Sequence, residues 1–418
     1  MDYDAARAEF VVFGGHAFPG PDLGDTWTFN GTAWRLRTVP VPPSARHGAA
    51  FAYDSSQGLT VLFGGQQDQG AILGDTWMWN GTTWSRMTPI VSPPPRVGAG
   101  CAADTRRGRI VIFGGWGSQG MITVPDTWAW HGGSGTWTNV LPPSSPTPRY
   151  FTTMAYDAAR DRIVLFGGAN AQGHLADTWE FDGTRWYQVM TSSAPPARAD
   201  SRMVYSALLG GVVIFGGSNV TGIRYSDTWL YDGTNWRMVR PAAPASAPSA
   251  RDGAGMAVES GTGKILVVQG RTGNGAFAND TWWLDIPGFV SFGVGCGPNG
   301  GPRLAGSFGQ DPTAGMPYSM TISNLPPLLP PSSVFLLLGA NELVPAVDLG
   351  SIGMTGCRLY ANPTYLVPCT YIPVGVASCT VGMPNAPGFM FFVQGLAIVP
   401  AGNPLGLILS DAARGIIR

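Results

Sequence analysis

The sequence predicts an all-β protein in which six four-stranded sheets are arranged radially and a smaller antiparallel β-sandwich follows. Three observations support this prediction: a motif period of about 50 residues, short aromatic and β-branched segments between turn signals, and a change of composition after residue 292. The first motif, Phe-Gly-Gly, begins at Phe13, Phe63, Phe113, Phe166 and Phe215. The second motif, Asp-Thr-Trp, begins at Asp25, Asp75, Asp126, Asp177, Asp227 and Asp280.

Each repeat has the pattern of four short strands. In the second repeat these are residues 46–53, 59–63, 75–79 and 84–87, with an Asn-Gly hairpin signal before the last. One such sheet cannot bury two apolar faces alone, whereas six arranged radially bury them against each other. A second aromatic residue follows each Asp-Thr-Trp, at Trp34, Trp84, Trp137, Trp186, Trp236 and Phe289. We expect the Trp side chains to pack between neighbouring sheets.

The composition excludes several classes of protein. The 418 residues include 59 Gly and 36 Pro, but also 15 Trp, 19 Phe and 12 Tyr, and disordered chains lack such aromatics. Charged residues are only 12% and the formal net charge is −1, which argues against nucleic acid or an anionic membrane as an electrostatic partner. No run of 18 apolar residues predicts a membrane-spanning helix, and no signal-peptide pattern is present at the start.

Phe-Gly-Gly, Asp-Thr-Trp, the trailing Trp and a Pro-x-Arg segment together resemble the kelch repeat. The resemblance covers residues 1–292 and implies a kelch β-propeller of six blades. Residues 1–7 align with residues 154–160, so blade one is expected to lack the Arg-bearing half of its first strand. Residues 289–292 are expected to supply the last strand of blade six. We hypothesise that the natural protein extends upstream with the missing strand and a signal peptide, which an in-frame stop codon directly before the start would contradict.

Residues 293–418 form the predicted second domain, where Trp and His no longer occur and charges become sparse. Short strand-like runs separated by Pro and Gly predict the β-sandwich. Four cysteines lie here and predict two disulfides in an oxidising compartment: Cys296, Cys357, Cys369 and Cys379. Three pairings are open, of which Cys357–Cys369 with Cys296–Cys379 is favoured. Several Gly, Pro and Cys segments resemble a C-terminal module of large secreted bacterial proteins, which implies an extracellular or cell-surface location.

No motif in the sequence predicts catalysis, a metal or a cofactor. His16 and His174 follow Gly-Gly strands in blades that face each other across the ring, too far apart to share an ion. His47 could approach His16 from the adjacent blade, but we expect no metal there. A Gly-x-Ser-x-Gly elbow and a His-Glu-x-x-His pattern are absent. Cys101, in strand one of blade three, lacks the tyrosine and histidine company that kelch-type copper oxidases need, and is expected to be a buried small apolar residue.

One face of the predicted propeller carries the loops between strands two and three and the connections from strand four to the next strand one. We call it the loop face. Variable loops on a rigid scaffold often carry recognition. The resemblance implies that strand one is innermost, so a repeated arginine should ring the channel mouth: Arg46, Arg96, Arg149, Arg198 and Arg251. These either bind an acidic partner or pair with a nearby Asp of Asp-Thr-Trp. Blade-specific candidates are His47, Trp116, Tyr150, Asp200, Arg224, Tyr225, Asp252 and Arg271.

The sequence thus favours a secreted or cell-surface binding protein that recognises a protein or a glycan through the loop face. A secreted carbohydrate-active enzyme with its site at the channel mouth is the alternative. A third hypothesis is an intracellular scaffold or adaptor protein. The four clustered cysteines and the apolar, charge-poor second domain disfavour it.

Overall fold

The computed structural model describes residues 1–17, 20–68, 70–117, 123–207, 209–240, 247–273 and 275–284, and after them the backbone of strands only. The chain forms two compact units, one of Met1–Ala207 with Gly211–Ile286 and one of Leu208–Gly210 with Pro287–Arg418. Among the described residues, no helix is long and apolar enough to cross a membrane. The domain boundary after residue 292 stays a prediction.

The first unit consists of six antiparallel sheets, the blades, whose strands follow sequence order from the inner to the outer edge. Blade one contains β1 (Asp2–Asp4), β2 (Glu9–His16), β3 (Asp22–Phe29) and β4 (Trp34–Arg37). Blade two contains β5 (Ala50–Asp54), β6 (Leu59–Phe63), β7 (Thr76–Trp79) and β8 (Trp84–Met87). Blade three contains β10 (Gly100–Asp104), β11 (Arg109–Phe113), β13 (Thr127–His131) and β14 (Thr136–Val140), with the short pair β9 (Arg96–Val97) and β12 (Trp116–Gly117).

The remaining blades follow the same plan. Blade four contains β15 (Thr153–Asp157), β16 (Arg162–Phe166), β19 (Thr178–Phe181) and β20 (Trp186–Val189), with the pair β17 (Ala169–Asn170) and β18 (Gly173–His174). Blade five contains β21 (Arg202–Ser206), β22 (Gly211–Phe215), β23 (Thr228–Tyr231) and β24 (Trp236–Arg240). Blade six contains β26 (Gly255–Val258), β27 (Ile265–Val268) and β29 (Thr281–Leu284), with the pair β25 (Arg251–Asp252) and β28 (Arg271–Thr272).

The blades close into a ring. Each inner strand contacts the inner strand of the next blade, and β26 of blade six contacts β1 of blade one. The predicted all-β, six-bladed propeller is therefore confirmed. One expectation is corrected: Val290–Phe292 (β30) does not extend blade six but pairs antiparallel with Leu407–Ile416, a strand of the second unit.

Apolar cores lie between neighbouring blades, where the sequence predicted them. Trp130 and Ile112 of blade three, for example, pack with Val61 and Phe63 of blade two. Each trailing Trp also donates its indole N–H to the Thr of Asp-Thr-Trp in the preceding blade. The bonds are Trp34–Thr281, Trp84–Thr26, Trp137–Thr76, Trp186–Thr127 and Trp236–Thr178, at 2.9 to 3.0 Å. The indole ring packs against the neighbouring blade, and its N–H hydrogen bond fixes the orientation of the two blades.

The Gly-Gly motif has a steric cause. In blade two, Gly64 and Gly65 have φ values of 68° and 101°, in the left-handed region that favours glycine. A Cβ on Gly64 would lie only 2.5 Å from the carbonyl oxygen of Arg96. The motif therefore lets the chain leave strand two and pass against the connection that enters the next blade.

The second unit contains strands of which only the backbone is described. A five-stranded sheet has the order β30, β40 (Leu407–Ile416), β39 (Met390–Ile398), β33 (Val334–Gly339) and β36 (Tyr365–Pro368). A four-stranded sheet has the order β31 (Arg303–Gly306), β32 (Pro317–Ser323), β38 (Val376–Gly382) and β37 (Thr370–Ile372), and β34 (Glu342–Asp348) pairs with β35 (Arg358–Ala361). The β-sandwich stays a prediction. The disulfides predicted for Cys296, Cys357, Cys369 and Cys379 lie outside the described side chains.

Candidate functional site

The five repeated arginines are buried beneath the loop face. Each is at most 1% exposed. Each guanidinium binds both carboxylate oxygens of the Asp in Asp-Thr-Trp of its own blade. The Nη2–Oδ2 distances are 3.0 Å for Arg46–Asp75, 2.9 Å for Arg96–Asp126, 2.8 Å for Arg149–Asp177, 2.8 Å for Arg198–Asp227 and 2.8 Å for Arg251–Asp280. This arrangement favours the structural alternative for these residues, because their donors are already occupied.

The ion pairs change the acidity of their aspartates. Burial alone raises the pKa of Asp75, but the hydrogen bonds from Arg46 and Trp77 outweigh it and hold the pKa below its ordinary value. The same balance of burial against hydrogen bonds lowers the pKa of Asp126, Asp177 and Asp280. These carboxylates stay ionised at neutral pH and are unsuited to act as general acids.

An arc of four backbone hydrogen bonds links blades two to six at the channel mouth. We call its five residues, Gly48, Gly98, Phe151, Asp200 and Gly253, the collar. The N–H of Gly98 donates to the carbonyl of Gly48 at 2.8 Å, Phe151 to Gly98 at 2.6 Å, Asp200 to Phe151 at 2.9 Å and Gly253 to Asp200 at 3.0 Å. All five have positive φ, including Phe151 at 49° and Asp200 at 55°. A left-handed conformation costs a non-glycine residue about 1 kcal/mol or more, so these two side chains are held at the mouth against a backbone preference.

Behind the collar lies an axial cavity of about 510 Å³, lined by residues of the inner strands. Asp2 and Cys101 are among the lining residues. Burial raises the pKa of the Cys101 thiol to about 12, so it stays protonated and is not an activated nucleophile. Cys101 is partly buried and lines this cavity, whereas the sequence predicted a buried small apolar residue.

Aromatic side chains gather on the loop face at blades three and four. The ring centroids of Trp116 and Tyr150 lie 4.8 Å apart, edge to face, and those of Tyr150 and Phe151 lie 5.5 Å apart. Trp116 and Tyr150 were predicted as binding residues from separate repeats, and the structure brings them together. Phe151 was not predicted; its signal was a Phe at the position where three other repeats have Gly and one has Asp.

A charged group occupies the loop face at blades five and six. The carboxylate of Asp252 is buried and lies 3.0 Å from both Arg224 Nε and Arg271 Nη2. The Arg271 side chain is 50% exposed. Tyr225 lies apart from them over the buried Arg198, with its ring centroid 4.1 Å from the guanidinium carbon. Three predicted residues thus form one cluster, and Tyr225 covers a structural ion pair.

Histidines and carboxylates meet on the loop face at blades one and two. His16 Nδ1 and His47 Nδ1 lie 2.9 and 2.8 Å from the same Asp22 Oδ1. Asp68 Oδ1 lies 3.2 Å from His16 Nδ1, and the Asp68 carboxylate also accepts the backbone N–H of Asp22. His47 was a predicted binding residue, whereas Asp22 and Asp68 were missed. Asp200, the last predicted residue, pairs with Arg202 at 3.0 Å.

The sequence comparisons agree with this architecture. Residues 134–289 match the family model described as the KLHDC2/KLHL20/DRC7 Kelch-repeats domain. No curated protein is significantly similar to the chain. The six-bladed ring and the family match together support a kelch-repeat β-propeller in the first unit.

Proposed function

We propose that this chain is a binding protein that recognises a protein partner through the loop face of its propeller. The observation that carries the proposal is the aromatic group Trp116, Tyr150 and Phe151, placed around the same mouth as the Arg224–Asp252–Arg271 cluster. Trp, Tyr and Arg are the side chains that dominate binding hot spots, and here a closed ring of blades fixes their positions. Little ordering entropy is then lost when a partner binds.

The charges of the loop face distinguish its two sides. The blade-five and blade-six side presents the half-exposed Arg271, whereas the blade-one and blade-two side presents the partly exposed carboxylate of Asp68. A partner segment with an acidic group beside an apolar or aromatic residue would match Arg271 and the aromatic group together. A glycan remains within the proposal, because aromatic faces also pack against sugar rings. The extracellular or cell-surface location is supported by the sequence of the second domain alone.

The experiment is a comparison of immobilised chain on peptide and glycan arrays, followed by affinity measurements with the best ligand. Trp116→Ala and Arg271→Ala should each weaken binding at least about tenfold, the effect of losing about 1.4 kcal/mol. Tyr187→Ala is the matched control, since Tyr187 is 42% exposed on the outer strand of blade four. Equal affinity of all three variants and the wild type would contradict a loop-face site.

One observation favours the alternative, a carbohydrate-active enzyme at the channel mouth. Asp2 lines the axial cavity, and burial raises its pKa although two backbone N–H groups oppose the shift. A raised carboxyl pKa is the direction that a general acid requires. Turnover of a glycoside panel that is lost in Asp2→Asn, with binding retained, would favour this alternative over a pure binding role.

A further inference from the structure

The cluster of His16, Asp22 and His47 is assembled by two blades. Strand β2 continues past the Gly-Gly bulge of blade one, and His16 there stands directly opposite Asp22 in the antiparallel register with β3. His47 enters from blade two, where it bridges to Gln66. One nitrogen or oxygen from each of the three side chains lies within 4.8 Å of the others. Two imidazoles and a carboxylate that converge in this way are a ligand set for a divalent metal ion.

The Asp22 carboxylate supplies a second, independent observation. Its side chain is 2% exposed, and its Oδ2 is buried without a hydrogen-bond partner among the described residues. A buried carboxylate oxygen without a partner loses its hydration and gains nothing in return, which typically costs about 1–3 kcal/mol or more. Such an atom indicates a ligand that accepts a lone pair.

The charges and distances fit a cation. The carboxylates of Asp22 and Asp68 lie beside two imidazoles, and no Lys or Arg pairs with either carboxylate among the described residues. Each Nδ1 lies 2.8 to 2.9 Å from Asp22 Oδ1. Tetrahedral ligands with bonds of about 2.1 Å lie about 3.4 Å apart, so shifts of about half an ångström between these side chains suffice to admit an ion.

We propose that His16, His47 and Asp22 bind one divalent transition-metal ion of the Zn²⁺ class, with Asp68 as the fourth ligand. Imidazole nitrogen selects Zn²⁺, Co²⁺ or Ni²⁺ over Mg²⁺ and Ca²⁺, which prefer ligand sets of oxygen alone. The ion fastens the extended hairpin of blade one to the entry of blade two. It also lies beside Phe277 of blade six, whose ring centroid is 6.0 Å from that of His16. This site replaces the sequence expectation that no metal is bound.

The test uses the full chain stripped with a chelator and titrated with Co²⁺ and Zn²⁺. We expect one ion per chain, Co²⁺ absorption bands of nitrogen and oxygen ligation without a thiolate charge-transfer band, and a higher thermal midpoint with Zn²⁺. The absence of the thiolate band separates this site from any metal held by the C-terminal cysteines.

Variants locate the ion. His47→Ala and Asp22→Asn should each weaken binding more than roughly 100-fold, because loss of a residue outside the ligand shell already costs roughly 10–100-fold. His174→Ala is the matched control, since His174 also follows a Gly-Gly strand, in β18 of blade four, and should bind as the wild type does. Asp68→Asn, at a more exposed position, serves if another variant does not fold. Unchanged Co²⁺ spectra in the ligand variants, equal loss in His174→Ala, or no bound ion in the wild type would overturn the proposal.

Discussion

The indole Nε1 of Trp34 donates a 2.9 Å hydrogen bond to the hydroxyl of Thr281 and so fastens blade one to blade six. The two residues are 247 positions apart in the chain. The same bond joins the sequential blades one to five to each other. The ring is therefore closed by the same hydrogen bond that joins sequential blades, and at this junction the inner strands of blades one and six are also in contact.

Trp84→Phe tests the contribution of this bond where it is buried. Phe keeps much of the apolar bulk but leaves the Thr26 hydroxyl without its donor. We expect the free energy of unfolding to fall by about 1–3 kcal/mol. Trp34→Phe is the matched comparison, and its loss should be smaller because Thr281 is exposed and water can replace the indole. Urea unfolding followed by Trp fluorescence measures both, and equal losses would argue against burial as the deciding factor.

Thr228 offers the opposite case. Its hydroxyl is buried and has no hydrogen-bond partner among the described residues, and the sixth repeat carries Phe289, without an N–H donor, at the Trp position. Thr228→Val should therefore leave stability unchanged or raise it by up to about 1 kcal/mol. Thr178→Val, which removes the acceptor of Trp236, should instead cost about 1–3 kcal/mol. A comparable loss of unfolding free energy in both variants, measured by urea unfolding, would show that the Thr178 hydroxyl gains no more from its hydrogen bond than the Thr228 hydroxyl does without one.

Arg198→Met tests the buried ion pairs. The Arg198 side chain is 0% exposed and that of Asp227 is 10% exposed, so the substitution leaves a nearly buried carboxylate without its partner. The expected loss of unfolding free energy is about 3–5 kcal/mol. Arg106→Ala is the control, because Arg106 is 70% exposed and its pair with Asp161 should contribute less than about 1 kcal/mol. A loss below that of the control would mean that the repeated pair does not stabilise the blade.

The lowered pKa values of Asp75, Asp126, Asp177 and Asp280 predict acid sensitivity. An aspartate with a lowered pKa in the folded state stabilises the fold above its unfolded pKa of about 3.9, and this stability is lost as the pH falls through the folded value. The free energy of unfolding should thus decrease steeply below about pH 4. Arg149→Met removes the cause of the shift at Asp177, so its unfolding free energy should depend less on pH than that of the wild type. Identical pH dependence in urea titrations would contradict the assignment.

The repeat made most of the fold predictable. Phe-Gly-Gly recurs in five blades and Asp-Thr-Trp in six because each serves the same kind of contact in most of them, so their spacing predicted the strands and even the Arg–Asp pairing as one of two alternatives. The expectation that residues 289–292 supply the last strand of blade six was wrong because this segment departs from the repeat: Phe289 replaces the Trp that defines the position, and Val290–Phe292 pairs with a strand of the second unit.

The candidate sites were less predictable because they depend on departures from the repeat. Asp22 meets His16 since β2 of blade one runs on to His16, whereas β6 and β11 end at the Phe of the motif. The residue pattern does not predict that the β2–β3 pairing continues past the bulge at Gly14 and Gly15. Phe151 likewise has a left-handed backbone conformation at the position that Gly98 occupies in the preceding blade. Phe disfavours this conformation, so the residue type gave no indication of it.

The collar has a consequence for the way the ring is held together. Its four hydrogen bonds run in one rotational sense, each N–H of blades three to six donating to the preceding blade. Among the described residues the collar is therefore an open arc: blades two to six share a continuous chain of backbone hydrogen bonds at the mouth, whereas the junctions of blade one rest on contacts between inner strands and on the indole bonds of Trp34 and Trp84.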